Sequence, residues 1–219
     1  NTDEVSLENN RYDLFVDVLE SKQKVLILAN SPHPDVAALK AAITSNVNYE
    51  VDEALINEFT GILEEYSLVV IHQLPSANPL SPRLFTRITR AGLPALFILG
   101  EQSNTSAFNG LNTGAKVHPF STSGRNEALP MLNESFAGFS HDRELARIVT
   151  MLPPLNTAFA QYEVINAAGN LFHQKIGNVE SSDPLWTFID GGTGRRGVIF
   201  GTGIWKWRMK SFLLTGKHD

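Results

Sequence analysis

The chain has 219 residues, 42% of them hydrophobic and 19% charged, a composition typical of a globular domain with a substantial core. Its net charge of −5 and the absence of a long basic run argue against a nucleic-acid partner. The absence of cysteine excludes disulfides, thiolate nucleophiles and thiolate metal sites. No apolar run approaches the roughly 20 residues that span a bilayer.

The beginning of the chain is predicted to be a linker. Residues 1–10 are polar and acidic and do not resemble a signal peptide, and residues 11–20 form a short strand or lead-in. We therefore assign residues 11–219 to a single domain. Because Asn1 is not an initiator Met and an apolar stretch at 212–214 lies close to the end, we expect the native protein to continue in both directions.

The first hundred residues alternate buried-strand patterns with helix patterns. The predicted order is strand 24–30, helix 36–45, strand 49–52, helix 53–65, strand 67–72, helix 80–91 and strand 95–100. Three of the strands are uninterrupted apolar runs, as in parallel strands covered on both faces. The helices have apolar residues at helical spacing, and Gly92 follows the last helix as its C′ residue.

The pattern changes after residue 100. Residues 101–135 are rich in Asn, Ser, Thr and Gly and are predicted to be loops with short elements. Residues 151–159 form a proline-broken connector. Antiparallel strands are predicted towards the end of the chain, over residues 162–165, 171–176, 185–190 and 197–201, with a glycine turn at 191–194.

These elements predict a flavodoxin-like three-layer α/β fold, a doubly wound parallel sheet with an antiparallel C-terminal extension. The strands 24–30, 67–72 and 95–100 should be adjacent, parallel and central. Six apolar residues on them should then be almost fully buried: Leu26, Ile27, Val69, Val70, Phe97 and Ile98.

Several segments resemble class I glutamine amidotransferase-like domains. The strand order, a strand that ends in His72-Gln73, and the strand 94–100 (PALFILG) are similar to that family. The closing motif at 203–208 (GIWKWR) resembles the end of such modules in bacterial membrane proteins, which often also carry von Willebrand factor A-type or immunoglobulin-like regions. The resemblance covers about residues 24–215.

The resemblance implies a place in a larger, membrane-anchored bacterial protein, with this domain outside the cytoplasm, in the periplasm. Its partners would be other domains of the same polypeptide or a membrane complex. No cofactor is implied.

One departure from the family concerns the nucleophile. Active members carry a cysteine in the tight turn after the strand that matches 95–100, and here Glu101 or Gln102 falls at that position. Neither side chain replaces the thiolate that attacks glutamine. The usual His-x-Glu pair is not evident either, since His118 and His141 lack it and Gln174 follows His173. We therefore expect a non-catalytic binding or structural module that is not a glutaminase.

Polar residues follow three of the predicted parallel strands. Because ligands of such sheets bind beyond the carboxyl ends of the strands, we expect these residues to share one rim. They are His33, Asp35, His72, Gln73, Glu101 and Gln102. The rim could bind a small polar ligand or hold an acid–base pair. Alternatively, Asp35 caps a helix, His33 is solvated, His72 bonds to backbone, and the loop 102–135 fills an old pocket.

Other chemistries find less support. The His33-x-Asp35 pair is too generic for a metal signature, so no metal site is predicted. No G-x-S-x-G elbow marks a serine hydrolase, and the glycine-rich turn lacks a phosphate-binding context. Trp205 and Trp207 could stack on a base or sugar, although sealing of the core by one Trp at a strand-to-helix junction is the simpler interpretation. Two alternatives therefore stay open, a cysteine-independent enzyme and a sugar-binding domain of the trehalose-utilisation type.

Overall fold

The structure is a computed structural model that describes residues 22–78, 80–139, 143–165, 167–191 and 194–216. The predicted linker and lead-in over residues 1–20 lie outside the described residues. So do His141, the middle of the predicted glycine turn at 192–193, and residues 217–219.

The described residues form strands and helices in the following order. The strands are β1 (Gln23–Ala29), β2 (Tyr49–Leu55), β3 (Leu68–His72), β4 (Ala95–Ile98), β5 (Ala115–Pro119), β6 (Arg125–Leu132), β7 (Leu155–Ala158), β8 (Ala160–Val164), β9 (Ala167–Ile176), β10 (Val179–Gly191) and β11 (Gly194–Ile199). The helices are α1 (Pro34–Thr44), α2 (Ser81–Ala91), α3 (Thr105–Gly110), α4 (Arg143–Val149) and α5 (Ile204–Thr215).

The main sheet has nine strands in the order β2-β1-β3-β4-β11-β10-β9-β6-β7. From β2 to β11 neighbouring strands are parallel, and from β11 to β7 they are antiparallel. A separate two-stranded antiparallel sheet pairs β5 with β8. The molecule is therefore built on one large mixed sheet.

The prediction of a flavodoxin-like three-layer fold with a doubly wound parallel sheet is wrong. The antiparallel strands are not an extension outside the sheet, because β11 pairs in parallel with β4, from Arg196 opposite Ala95 to Ile199 opposite Ile98. The remaining antiparallel strands continue the same sheet from β11. Long-range strand pairing thus extends the sheet far beyond the parallel strands that the local pattern suggested.

The predicted helix at 53–65 is also absent. Pairing with β1 carries β2 as far as Leu55, opposite Ala29, because the edge of β1 offers backbone groups over its whole length. A turn and a single 3₁₀ turn at Leu63–Glu65 follow. Two of the apolar residues that suggested a helix, Ile56 and Leu63, are buried in the core from these irregular segments.

The predicted loop region at 101–135 contains α3, β5 and β6. Asn, Ser, Thr and Gly are uncommon inside regular elements, but the alternation of Ala115 and Val117 with polar residues gives β5 a buried face. The predicted connector at 151–159 likewise contains β7, an edge strand of the main sheet.

The prediction for the three central strands is confirmed. Strands β1, β3 and β4 are parallel neighbours, and all six residues expected in the core are at most 3% exposed: Leu26, Ile27, Val69, Val70, Phe97 and Ile98. Alternate residues of a strand face opposite sides of the sheet, so Leu26 and Ile27 belong to different hydrophobic clusters. The first cluster includes residues of α2, α3 and the β5–β8 sheet, and the second includes residues of α1, α4 and α5.

In the part of the chain that the structure describes, no helix combines the length and the apolar character needed to cross a membrane.

Candidate functional site

The start of α1 positions two of the candidate residues. His33 is the N-cap, with extended backbone, and its Nδ1 accepts the backbone N–H of Asp35 at 3.1 Å. Pro34 occupies the first helical position, where its fixed φ suits the helix and its missing N–H costs nothing. The expectation that Asp35 caps this helix is therefore wrong, because the proline starts α1 one residue earlier.

Asp35 instead caps a different helix. Its side chain is fully buried, and its carboxylate accepts the backbone N–H of Gly203 at 2.8 Å and that of Trp205 at 2.9 Å. Gly203 is the N-cap of α5 and offers no side chain of its own. A carboxylate at this position satisfies two N–H groups that the helix leaves unpaired and complements the helix dipole. Asp35 thus joins two segments that lie 168 positions apart.

His72, the last residue of β3, completes the cluster from the strand side. Its ring is fully buried, and its Nε2 lies 3.5 Å from Oδ2 of Asp35. The rings of His72 and His33 have centroids 4.7 Å apart and are tilted by 39°. The partner of His72 is a side chain, so the alternative in which it bonds to backbone is wrong. The Nδ1 of His72 is buried and has no hydrogen-bond partner among the residues that the structure describes.

The electrostatics of the cluster favour an ionised Asp35 beside a neutral His33. Burial raises the pKa of Asp35, but the hydrogen bonds from His72, Gly203 and Trp205 outweigh burial and hold this pKa below its usual value. Burial also lowers the pKa of His33, and the nearby Asp35 opposes that shift only in part. The side chain of His33 is therefore neutral at neutral pH, and its Nδ1 keeps the lone pair that accepts the backbone N–H of Asp35.

Gln73 and Gln102 form a second group on the same rim. The Oε1 of Gln73 accepts the backbone N–H of Gln102 at 3.0 Å. The Oε1 of Gln102 in turn accepts hydrogen bonds from Asn30 Nδ2 and from Ser31 Oγ. These bonds tie together the loops that follow β1, β3 and β4.

The turn after β4 is packed closely against Gln73. A Cβ added at Gly100 would lie 2.6 Å from Oε1 of Gln73 and 2.5 Å from Cγ2 of Thr202. Both distances are shorter than any normal contact. Only glycine fits at this position, and the turn is held against its neighbours.

Glu101 stands apart from both groups. Its side chain is exposed, and within the described residues it makes no hydrogen bond or ion pair with His33 or His72. Its one resolved effect on the cluster is a minor one that raises the pKa of His33. The predicted rim therefore separates into the cluster of His33, Asp35 and His72, the glutamine pair, and an exposed carboxylate.

The donor set of the cluster is suited to a metal ion. His33, Asp35 and His72 each offer one ligand atom, and these atoms lie within 4.8 Å of one another. Two imidazoles and a carboxylate are typical ligands of Zn²⁺. However, both carboxylate oxygens and the Nδ1 of His33 already accept backbone N–H groups. An ion would compete with the hydrogen bonds that begin α1 and α5.

Sequence reasoning missed several residues of this network, namely Asn30, Ser31, Gly203 and Trp205. The only available signal was the position of Asn30 at the end of a predicted strand and of Ser31 directly after it. The contacts of Gly203 and Trp205 are made by backbone groups, which carry no signature in the residue types.

Comparison with known proteins bears on the fold. No protein-family model and no curated protein matches the chain. Among solved structures, a carbohydrate deacetylase is similar with a TM-score of 0.51 and 8% identity, over 87% of this chain and 32% of the deacetylase.

Two glycosidases give weaker likenesses. An exo-β-1,4-mannosidase from Opitutaceae bacterium strain TAV5 has a TM-score of 0.49 and 10% identity, over 83% of this chain and 31% of the other. A β-galactosidase from Rahnella sp. R3 has a TM-score of 0.48 and 13% identity, over 90% and 32%. The chain spans about a third of the length of these structures, and at such identities the likeness concerns the fold alone.

Proposed function

We propose that the chain is a non-catalytic binding or structural module of a larger, membrane-anchored bacterial protein, situated outside the cytoplasm. The observation that carries the non-catalytic part is the use of Asp35. Its carboxylate is buried and accepts two backbone N–H groups of α5, and His72 lies against it. A carboxylate stabilised in this way is a weak base and has no oxygen directed at a substrate.

The other polar groups of the rim support the same proposal. Gln73 and Gln102 are engaged with each other and with Asn30 and Ser31, so their hydrogen bonds serve the loops. Glu101 falls where amidotransferase-like domains carry their nucleophile, and within the described residues it makes no ion pair with a histidine. Because the chain has no cysteine, a glutamyl thioester cannot form.

Two observations support a place in a larger protein. The fold matches about a third of a carbohydrate deacetylase, so the same architecture occurs as one part of a longer chain. The resemblance of residues 203–208 to the end of amidotransferase-like modules in bacterial membrane proteins supports membrane anchoring. Other domains of the same polypeptide, or a membrane complex, are then the expected partners.

A sugar-binding role of the trehalose-utilisation type is a second candidate. It is favoured by an open crevice beside Glu101, lined by hydroxyl, amide and aromatic side chains. The other alternative, a cysteine-independent enzyme, would use His33, whose side chain is 24% exposed. Among the described residues, the acid within hydrogen-bond reach of His33 is Asp35, which is already engaged.

Turnover assays test the proposal. We expect the purified protein to release no ammonia from glutamine above a buffer control. It should likewise release no p-nitrophenol from p-nitrophenyl glycosides or from p-nitrophenyl acetate. Glu101→Gln and His33→Asn are compared with Glu64→Gln, which removes an exposed carboxylate elsewhere. Turnover that survives repurification, is lost in either rim variant and persists in Glu64→Gln would refute the non-catalytic role.

A further inference from the structure

A crevice of about 240 Å³ lies next to the rim, between the segments that follow β4 and β11 and the small β5–β8 sheet. It is separate from the His33–Asp35–His72 cluster, none of whose residues lines it. Its walls come from distant parts of the chain, including Glu101 after β4, Arg125 on β6 and Tyr162 on β8. The loop 102–135 therefore borders an open space and does not fill it.

The floor of the crevice is aromatic and fixed. Tyr162 and Phe200 meet edge to face, with ring centroids 5.0 Å apart. The hydroxyl of Tyr162 donates to the backbone carbonyl of Ala158 at 2.6 Å, which holds the ring in place. Burial raises the pKa of Tyr162, so this hydroxyl stays protonated at neutral pH. Phe200 is only 2% exposed and supports Tyr162 from the core, so Tyr162 supplies the rigid aromatic surface that a ligand can reach.

The rim of the crevice is polar and has unused hydrogen-bonding groups. Arg125 donates through Nη1 to the carbonyls of Thr122 and Gly124. These two bonds steady the guanidinium, and its remaining N–H groups make no hydrogen bond within the described residues. The side-chain amide of Asn156 likewise has no hydrogen bond within the described residues, and the carboxylate of Glu101 is exposed. Donors and acceptors thus face the same space.

The charges of the lining select a neutral ligand. Glu101 and Arg125 are the ionised side chains that line the crevice, and they balance. An anion would meet the carboxylate, and a cation would meet the guanidinium. Neutral hydroxyl groups can both donate to Glu101 and accept from Arg125 or Asn156. The volume is below the roughly 300 Å³ at which pockets for drug-sized ligands begin, so it suits a single small ring.

A pair of exposed aromatic rings extends this surface beside the mouth of the crevice. Phe120 is 63% exposed and Phe159 is 46% exposed, with ring centroids 4.9 Å apart. The backbone N–H of Phe120 donates to the carbonyl of Phe159 at 2.9 Å. Their chain neighbours Ser121 and Ala158 line the crevice. A second ring of a chain-like ligand would therefore find an apolar surface next to the first.

We propose that this crevice binds the end of a neutral glycan. One sugar ring packs its apolar face on Tyr162 and bonds its hydroxyls to Glu101, Arg125 and Asn156. The next ring lies along Phe120 and Phe159. This assignment rests on the proposed non-catalytic function and specifies the ligand class of the module.

Titrations followed by amide NMR test the assignment. The 219-residue protein is titrated with maltotetraose, cellotetraose and β-1,4-galactotetraose, and with glucose and galactose. We expect at least one tetrasaccharide to give saturable shifts at residues of the crevice. Arg125→Ala and Asn156→Ala should each raise the dissociation constant about tenfold. Phe120→Ala should weaken the tetrasaccharide and leave the monosaccharide unchanged.

Matched variants separate binding from folding. Arg87→Ala removes an exposed arginine that likewise donates to a backbone carbonyl, that of Gly61, and should bind as the wild type does. Arg125→Lys keeps the charge and the fold but loses the planar fork, so it should also bind weakly. Thermal unfolding of each variant identifies any loss of fold.

Three results would overturn the glycan site. The first is the absence of saturable shifts with every sugar, and the second is binding that Arg125→Lys and Asn156→Ala leave intact. Preferred binding of inorganic phosphate or of glutamate in the crevice would also contradict a neutral ligand. If a bound tetrasaccharide is shortened, the site stands and the non-catalytic function fails. If no sugar binds and no turnover occurs, the site fails and the non-catalytic function stands.

Discussion

At the scale of single residues, Asp35 is the centre of the rim, with His72 against its carboxylate and two backbone N–H groups of α5 bound to it. His33, Asp35 and His72 meet because they follow β1 and close β3, which are parallel neighbours whose carboxyl ends share one edge. Asp35 also binds α5, through backbone N–H groups from the opposite end of the chain.

The ionisation of this cluster predicts a dependence of stability on pH. The folded-state pKa values of Asp35 and His33 both lie below their ordinary values of 3.8 and 6.5. Each group therefore contributes stability that is present above its unfolded pKa and is lost as pH falls through its folded pKa. We expect the thermal midpoint to decrease as pH falls below 6.5, and to decrease again below 3.8.

His33→Asn separates the first of these decreases from the second. Asparagine keeps an N-cap acceptor but does not titrate. The variant should therefore lose the decrease below pH 6.5 and keep the decrease below pH 3.8. His118→Asn is the matched control, since His118 is exposed and pairs with Glu163 on the small sheet. If His118→Asn removes the decrease below pH 6.5 and His33→Asn leaves it unchanged, our assignment of this decrease to His33 is wrong.

At the scale of elements, local patterns were sufficient where burial on both faces decides the structure. The apolar runs of β1, β3 and β4 identified strands correctly because no exposed element tolerates such runs. The pattern failed at 53–65, where Ile56 and Leu63 are buried without a helix. The spacing of apolar residues predicts which residues are buried, but it does not determine whether their backbone is helical or irregular.

The N-terminal half of α5 should depend on one of its two tryptophans. Trp207 is 8% exposed, packs in the second core cluster and donates Nε1–H to the carbonyl of Pro153 at 2.7 Å. Trp207→Ala should lower the free energy of unfolding by about 3 kcal/mol or more. Trp205 contributes mainly its backbone N–H, so Trp205→Ala should cost less than half as much in urea unfolding. Equal losses would refute this division of roles.

The turn after β4 should not tolerate a side chain. Gly100→Ala places a Cβ within 2.6 Å of Gln73 and Thr202, and should destabilise by about 1–3 kcal/mol. Gly110→Ala is the control, because a Cβ there meets no atom within 4 Å. It lies in α3 and should be neutral or stabilising by up to about 1 kcal/mol. Urea unfolding measures both, and a neutral Gly100→Ala would show that the turn is loosely packed.

At the scale of the whole molecule, the mixed sheet depends on pairings that no local pattern encodes. The strand order brings β11 beside β4 and β6 beside β9, so segments that are distant in sequence become neighbours. Periodicity predicts the faces of a strand and not its partner. The crevice was missed for the same reason, since Glu101, Arg125 and Tyr162 come together only after these pairings form.

The rim is a structural connection between two segments that lie far apart in the chain. The carboxylate of Asp35 receives two N–H groups of α5, and α5 in turn closes one face of the sheet. If the cluster serves to make this connection, loss of the Asp35 carboxylate must lower the free energy of unfolding of the whole domain. If Asp35 serves a ligand or a reaction, its replacement should spare stability, as is common at functional sites.

Urea unfolding of Asp35→Asn measures how strongly the fold depends on this carboxylate. The amide keeps the size of the side chain but turns one N–H-accepting oxygen into a donor facing another donor. We expect a loss of about 2 kcal/mol or more in the free energy of unfolding, with an unchanged slope. Asp190→Asn, at an exposed position on β10, should match the wild type. An Asp35→Asn variant as stable as the wild type would contradict the account and return the carboxylate to the candidates for ligand binding or chemistry.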